Sequence, residues 1–416
     1  MTALGRRAFL GGTAATAALG VLSACGGNTG RGSSEGKLRQ WYHAYGEKGV
    51  REAVEKYADA YHKSDIDVQW QTSTNYANEL ATALVNNGGP DVFEAQLNMD
   101  MVRGKQVAPL DDLIDPVRDD FVPATLQTNT VDGKVYGIPM VEDMQLLYYR
   151  KSLLRKAKVE PPTTVDALID ATKKLATDDV KGLFVGNDGG VSVLGGPALW
   201  SAGLTYVTPD HQIGFDDPQA ATAIGKLHEL YATNATLRQG TTDWSDPSAF
   251  INGEVAMQWS GLWNMKLIQD KWKDDFGVLP YPRLNSAGAP SVPIGTFAEM
   301  VNGHGSQQKA AKAFVKWLWI DKTDYQLEFN TAFGFHLPPR KSIAAQAETL
   351  KSGPAAEAAR LSQEYSHPAA PPEWTPAMSS AYSDALTNVI LKGSDPAHEL
   401  KGVRDKVGEE LKRLFA

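Results

Sequence analysis

The 416-residue chain contains a single cysteine, Cys25, and no apolar run long enough to cross a membrane. A spanning helix needs ~18–20 apolar residues, and the longest candidate, Gly11 to Val21, falls well short. One cysteine excludes intrachain disulfides and zinc–thiolate clusters. The chain also lacks a GxSxG elbow, an HExxH pair and a GxxxxGK[ST] phosphate loop. Its eight histidines are scattered without metal-ligand spacing. Gly303-His304-Gly305 is a fragment of a dinucleotide pattern, but Gln308 stands where the third glycine belongs, so a turn is the better reading. Nothing here calls for a cofactor. Forty-nine acidic residues would supply a carboxylate pair somewhere, so a glycosidase stays open on composition alone.

What is present at the start fixes the compartment. Gly5-Arg6-Arg7-Ala8-Phe9-Leu10 gives a positive beginning, the stretch to Val21 is short and apolar, and Leu22-Ser23-Ala24-Cys25 ends it with small residues. That order is the order of a secretory signal, residues 1–24. The paired arginines before Phe-Leu point to twin-arginine export, with an ordinary secretory route as the alternative. Residues 25–36, rich in Gly and Ser, read as a flexible tether. The full chain carries a formal charge of −8, and −10 once Arg6 and Arg7 are removed. An acidic balance argues against nucleic acid and against a broad basic membrane-binding face.

The remaining length suits two domains of ~100–200 residues. Lys37 to Tyr42 reads as a strand, Val50, Val54, Tyr57 and Tyr61 share one helical face, and Ile66, Val68 and Trp70 alternate with polar residues. A helix carrying Leu80 and Leu84 follows, then Gly88-Gly89-Pro90 and a strand at Asp91-Val92-Phe93. Strand–helix–strand–helix–strand predicts an α/β lobe with a parallel sheet, whose ligands sit at the strands' C-terminal ends. Further on, Thr163 or Thr164 caps a helix at Val165–Leu175, and strands fall at 182–185, 254–259 and 277–279 around a helix near 219–233. Ser306 is the expected cap of a helix packing Ala310, Ala313, Phe314 and Trp317. Thr375-Pro376 and Asp395-Pro396 each open a helix, the second burying Leu400, Val403, Val407, Leu411 and Leu414. There is no 20–50-residue repeat, which excludes solenoids and propellers.

A set of motifs runs through nearly all of this: Tyr136-Gly137-Ile138-Pro139, Leu147-Tyr148-Tyr149, the segment Phe250 to Met257, Gly261-Leu262-Trp263, Phe276 to Pro282, Pro293-Ile294-Gly295 and Leu337-Pro338-Pro339-Arg340. In order and spacing they resemble the family-1 extracellular solute-binding proteins of ABC importers, carbohydrate type. Leu22-Ser23-Ala24-Cys25 resembles the lipobox of bacterial lipoproteins, which implies acylation of Cys25 and anchoring at the outer face of the cell membrane. The resemblance implies a two-lobed periplasmic-binding-protein-like fold with interlobe crossovers and a ligand cleft. Lobe 1 is expected over 37–142 plus 295–335, and lobe 2 over 143–294 plus 336–416. Crossings are expected near Glu142–Leu146, Ile294 and Phe333–Arg340. The implied role is capture of a mono- or oligosaccharide for ABC permease subunits, as a monomer and without catalysis. A non-sugar solute such as a glycerol-phosphodiester is the alternative, and an anchored glycosidase a further one.

A pyranose offers C–H faces that suit indole rings and hydroxyls that suit carboxylates, amides and guanidinium groups. By resemblance, the candidate ligand-binding residues are Glu47, Lys48, Gln96, Asn98, Glu142, Asp143, Trp200, Trp259, Trp263, Arg340 and Trp374. The family's C-terminal stacking aromatic falls near Ser380 here, which leaves Trp374 or Tyr382 as substitutes. Trp263 is expected just after a turn at Ser260-Gly261.

Overall fold

A computed structural model of the chain describes residues 36–71, 75–85 and 88–415. The expected signal, Cys25 and nearly all of the expected tether lie outside the described residues.

In β1 (Lys37–His43), Leu38, Gln40 and Tyr42 are buried while their neighbours are partly or fully exposed. This is the period-2 pattern of a strand with one face in a core. It pairs in parallel with β2 (Asp65–Gln71), from Lys37 opposite Asp65 to His43 opposite Gln71, and with β3 (Val92–Ala95). Helices Val50–Asp59 and Tyr76–Val85 make the two crossovers, and the first buries Val50, Val54 and Tyr57 as its spacing predicts. A small hairpin, β4 (Thr130–Val131) and β5 (Lys134–Val135), precedes β6 (Gly137–Pro139).

The second sheet is built on β7 (Asp143–Arg150). It joins β8 (Lys181–Phe184), β9 (Val255–Gly261), β10 (Phe276–Leu279), β11 (Val292–Gly295) and β13 (Ser366–Pro368) in the order β13-β11-β7-β9-β8, with β10 also on β7. β12 (Ala298–Val301) returns to the first sheet, whose order is β2-β1-β3-β12-β6. The two sheets are thus the cores of two lobes, linked by three stretches of chain. Residues 140–142 join β6 to β7, and residues 296–297 join β11 to β12. The third stretch follows helix Thr323–Thr331; there Leu337 bridges Glu142 and Arg340 bridges Phe121.

Caps fall where their chemistry predicts. Thr164 Oγ1 accepts from the Ala167 amide (3.2 Å), and Thr375 Oγ1 from the Met378 amide (3.3 Å). The C-terminal helix, Pro396–Phe415, buries Leu400, Val403, Val407, Leu411 and Leu414 against helices Pro218–Ala232 and Pro376–Lys392.

Two local expectations are corrected. The helix expected from Ser306 begins at Gln308, because Asn302 closes a turn over the preceding residues by accepting from the His304 and Gly305 amides. Its buried stripe is Ala311, Phe314, Val315 and Leu318; Ala310 and Trp317, the latter opening a π-helical turn at Trp317–Asp321, pack partly buried against the same core, and Ala313 is exposed. Secondly, Ser260 and Gly261 do not form a turn. Strand β9 runs through Gly261, and a 3₁₀ turn at Leu262–Asn264 precedes the helix Met265–Trp272. The strand is covered on both faces, so its burial carries no alternation that would mark its end.

Candidate ligand-binding cleft

The C-terminal end of β1 turns at Ala44 into a loop carrying Tyr45, Glu47 and Lys48, and β3 is followed by Gln96, Leu97 and Asn98. From the other lobe come Asp143 at the start of β7 and Trp263 just beyond β9. Between them lie two cavities of about 680 and 720 Å³. Each falls within the ~300–1,000 Å³ range of small-molecule sites. His43 and Phe297, stacked with centroids 4.6 Å apart, line both and form the partition between them. A third cavity of about 220 Å³ opens inside the second lobe and shares Ala370, Trp374 and Ser379 with the larger of the other two. On the rim the lobes touch: Arg103 Nη2 donates to the Leu414 carbonyl (2.6 Å), and Arg413 pairs with Asp100 at 3.1 Å.

Eight of the eleven residues expected from the sequence line these cavities. Glu47, Lys48, Asp143 and Trp263 face the first. Gln96, Asn98 and Trp374 face the second, and Trp200 and Trp374 the third. Asn98 also works locally, its Oδ1 accepting from the Met101 amide (3.0 Å) to cap a short helix, which leaves its Nδ2 for a ligand. Trp263 is half-buried. Its Nε1 donates to the Ser245 carbonyl (3.1 Å), and the edge of Trp244 meets its ring at 5.9 Å. Trp374 stacks on Tyr206 at 4.4 Å, and Trp200 on His367 at 4.8 Å.

The other three lie elsewhere, for clear reasons. Trp259 is 1% exposed; its Nε1 donates to Gln145 Oε1 (3.1 Å) and its ring meets Tyr281 edge-on, so it is core. Arg340 is buried in an ion pair with Asp120 (2.8 Å) and also donates to the Ile320 carbonyl (2.8 Å). Glu142 is sealed at the first crossing, accepting from Thr125 Oγ1 and Ser362 Oγ, each at 2.5 Å. Burial pushes its carboxyl up, against the pull of those two hydroxyls.

Several cleft residues were not anticipated. His43 hydrogen-bonds through Nδ1 to the fully buried Glu94, which also accepts from Tyr45 OH (2.6 Å). Burial works to lower the His43 pKa, but the Glu94 carboxylate outweighs it and holds it above the usual value. Strand alternation was the available signal for His43, since it sits on the face opposite Tyr42 at the end of β1. Phe297, Phe333 and His336 lie on the links between lobes, and no local pattern marks them. His336 bonds through Nδ1 to Asp143 Oδ1, and its Nε2 lies 3.3 Å from Glu47 Oε1. Among the described residues, no group of three or more His, Cys, Asp or Glu is arranged to hold a metal ion.

Residues 46–319 match the family model described as "Bacterial extracellular solute-binding protein". The galactooligosaccharide-binding protein of Bacillus subtilis (strain 168) is 25% identical over 419 residues, covering 94% of each chain. The maltodextrin-binding protein of the same organism is 28% identical over 285 residues, covering 63% of this chain and 64% of that one. Among solved structures, the GacH receptor of Streptomyces glaucescens, determined unliganded and with acarbose, superposes with a TM-score of 0.78 at 22% identity, covering 91% of this chain and 98% of that one. A solute-binding protein of Thermotoga lettingae bound to α-D-tagatose gives a TM-score of 0.76 at 19% identity, covering 90% and 100%. With a match across well over half its length and the two-lobed fold to go with it, the chain belongs to the bacterial extracellular solute-binding proteins.

Proposed function

We propose that this protein captures a saccharide in the cleft between its lobes and hands it, unchanged, to the permease subunits of an ABC importer. The observation that carries the reading is the composition of the cleft. Apolar ring faces (Trp263, Phe297, Phe333, Trp374) stand beside carboxylates and amides (Glu47, Asp143, Gln96, Asn98) contributed by both lobes. A pyranose presents the complement, C–H faces ringed by hydroxyls. The oligosaccharide-binding relatives support the same substrate class. Lobe 1 is taken as 37–142 plus 295–335 and lobe 2 as 143–294 plus 336–416, closing about the three links when ligand binds. Export through the signal, acylation of Cys25 and a tether to residue 36 would hold the monomer at the outer face of the membrane, within reach of the permease.

The test is a thermal-shift panel of maltotriose, cellotriose, xylotriose, mannotriose and galactotriose, with glycerophosphodiesters as the competing class. A ligand at ~100 times its dissociation constant adds ~2.7 kcal/mol of stability, an unmistakable rise in Tm. A shift with a phosphodiester and with no sugar would overturn the saccharide reading. Product analysis after long incubation should show every saccharide intact.

A further inference from the structure

His336 sits where the two lobes and a link between them meet. Glu47 belongs to the loop after β1 in the first lobe, Asp143 opens β7 in the second, and His336 lies on the third link. Its ring is buried, 2% exposed, and both nitrogens face a carboxylate: Nδ1 the Asp143 Oδ1, Nε2 the Glu47 Oε1 at 3.3 Å. The chain bends in tightly here at Gly334, where an added Cβ would stand 3.2 Å from Glu47 Cγ and 3.3 Å from His336 Nε2. A neutral imidazole has one N–H and one lone pair. Aimed at two carboxylates, its lone pair would oppose an anion; only the doubly protonated ring satisfies both. Both carboxylates also line the cavity that holds Trp263.

We propose that His336 is a positioning residue: as an imidazolium it clamps Glu47 and Asp143, each by one oxygen, and so presents their other oxygens in fixed orientation to the ligand's hydroxyls. The clamp rests on the saccharide reading for its ligand, but its geometry stands apart from it. Burial alone would lower the pKa of His336, yet the Asp143 and Glu47 carboxylates push it up to about 10. Glu47 shifts the opposite way, burial raising it but His336 drawing it below the usual carboxylate value. Other titratable groups surround the cluster. The His43–Glu94 pair and Tyr45 stand beside it, Glu142 lies behind Asp143, and Lys48, Lys266 and Asp246 line the same cavity. Burial and Glu94 hold the Tyr45 hydroxyl neutral far above this range, and His43, held above the usual imidazole value by Glu94, is present in wild type and variant alike, so the alkaline loss that disappears in His336→Gln belongs to His336.

Two measurements on the full mature chain test this. The first is ¹⁵N NMR of the imidazole rings without ligand, with His336 assigned by its disappearance in His336→Gln. A doubly protonated ring at pH 8 is expected; a neutral tautomer at that pH overturns the proposal. The second is the affinity for maltotriose, or for whichever panel trisaccharide binds more tightly, across about pH 6 to 10.5. Wild type should hold its affinity to about pH 8.5 and lose about fourfold by the upper end, the factor by which the protonated fraction of a group with a pKa of about 10 falls. His336→Gln, which has no charge to lose, should bind at least tenfold more weakly at pH 7 with a flat profile over the alkaline range. Unchanged affinity in His336→Gln, or the same alkaline loss, overturns the clamp. If neither a trisaccharide nor any of the monosaccharides that compose them binds wild type, the saccharide reading falls and the NMR titration alone decides the clamp.

Discussion

The indole of Trp263 lies across Gly261, so close that a Cβ built on Gly261 would stand 2.2 Å from its ring carbons. Gly261 is in ordinary extended conformation, φ −82° and ψ 157°, so the glycine is there for space and not for backbone freedom. The strand end serves as a seat that holds the ring at the cleft wall. Gly261→Ala should therefore unseat the indole with little strain elsewhere, and weaken saccharide binding about as much as removing the ring. For Trp263→Ala the expected loss is tenfold or more, or at least ~1.4 kcal/mol, with an unliganded Tm close to wild type. Titration calorimetry and a melting curve on each variant check the pair. A strongly destabilised Trp263→Ala with normal affinity would sink the assignment.

That contrast shows what the sequence made legible. Trp259 and Trp263 both looked like candidates, and only the length of β9 separates them. Had the strand ended at Met257, both would have been near the cleft; because it runs to Gly261, Trp259 falls into the core. Elements with strong local signals were readable, such as the crossover helices, the Thr164 and Thr375 caps and the C-terminal helix. So were eight cavity-lining residues, because the family resemblance aligned most of them to the loops after strands and to the links; Trp200 instead sits on the helix Gly195–Ser201. His43, Phe297 and His336 were not, since their roles depend on which distant carboxylate or ring faces them across the fold. Glu142 and Arg340 failed in the opposite sense: polar residues at a crossing look like ligand contacts until the hydroxyls and carboxylate that satisfy them are seen.

Arg340→Ala should separate stability from binding. The guanidinium joins Asp120 and the Ile320 carbonyl, and Asp120 also accepts from the Ser342 amide (2.8 Å) and hydroxyl (2.6 Å). Removing one partner of a buried pair costs ~3–5 kcal/mol. Asp120 keeps its serine contacts and some solvent, which places the expected cost near the lower end, about 3 kcal/mol. Denaturant unfolding should show it, while saccharide affinity stays within about twofold. A tenfold affinity loss would return Arg340 to the ligand-binding set.

Cys25→Ala should move the protein from the membrane fraction to the soluble fraction without altering saccharide affinity. Under the proposed acylation each buried acyl methylene would contribute ~0.8 kcal/mol to anchoring, and every residue assigned to the cleft comes after residue 36 in the sequence. Fractionation followed by binding on the released protein checks both halves. Firm membrane retention of the variant would contradict acylation at Cys25.

Glu299 gives the fold its own pH dependence, away from the cleft. It is fully buried on β12, accepting from Gln40 Nε2 (3.0 Å), Tyr42 OH (2.9 Å) and Trp319 Nε1 (2.9 Å). Burial raises its pKa to about 7, against the opposing pull of those three donors. An acid whose folded pKa exceeds its unfolded one binds more protons when folded, so stability falls as pH rises between the two values. The window runs from about 4.5 to about 7, and the loss across it is on the order of 3 kcal/mol. In Glu299→Gln the amide has one acceptor oxygen and brings its own N–H donors to face Tyr42 or Trp319. The variant should be less stable than wild type throughout, yet with a shallower decline over that window. Urea unfolding at pH 5, 6, 7 and 8 measures both effects. Parallel curves for the two proteins would show that the decline comes from other groups and that Glu299 stays ionised across the range.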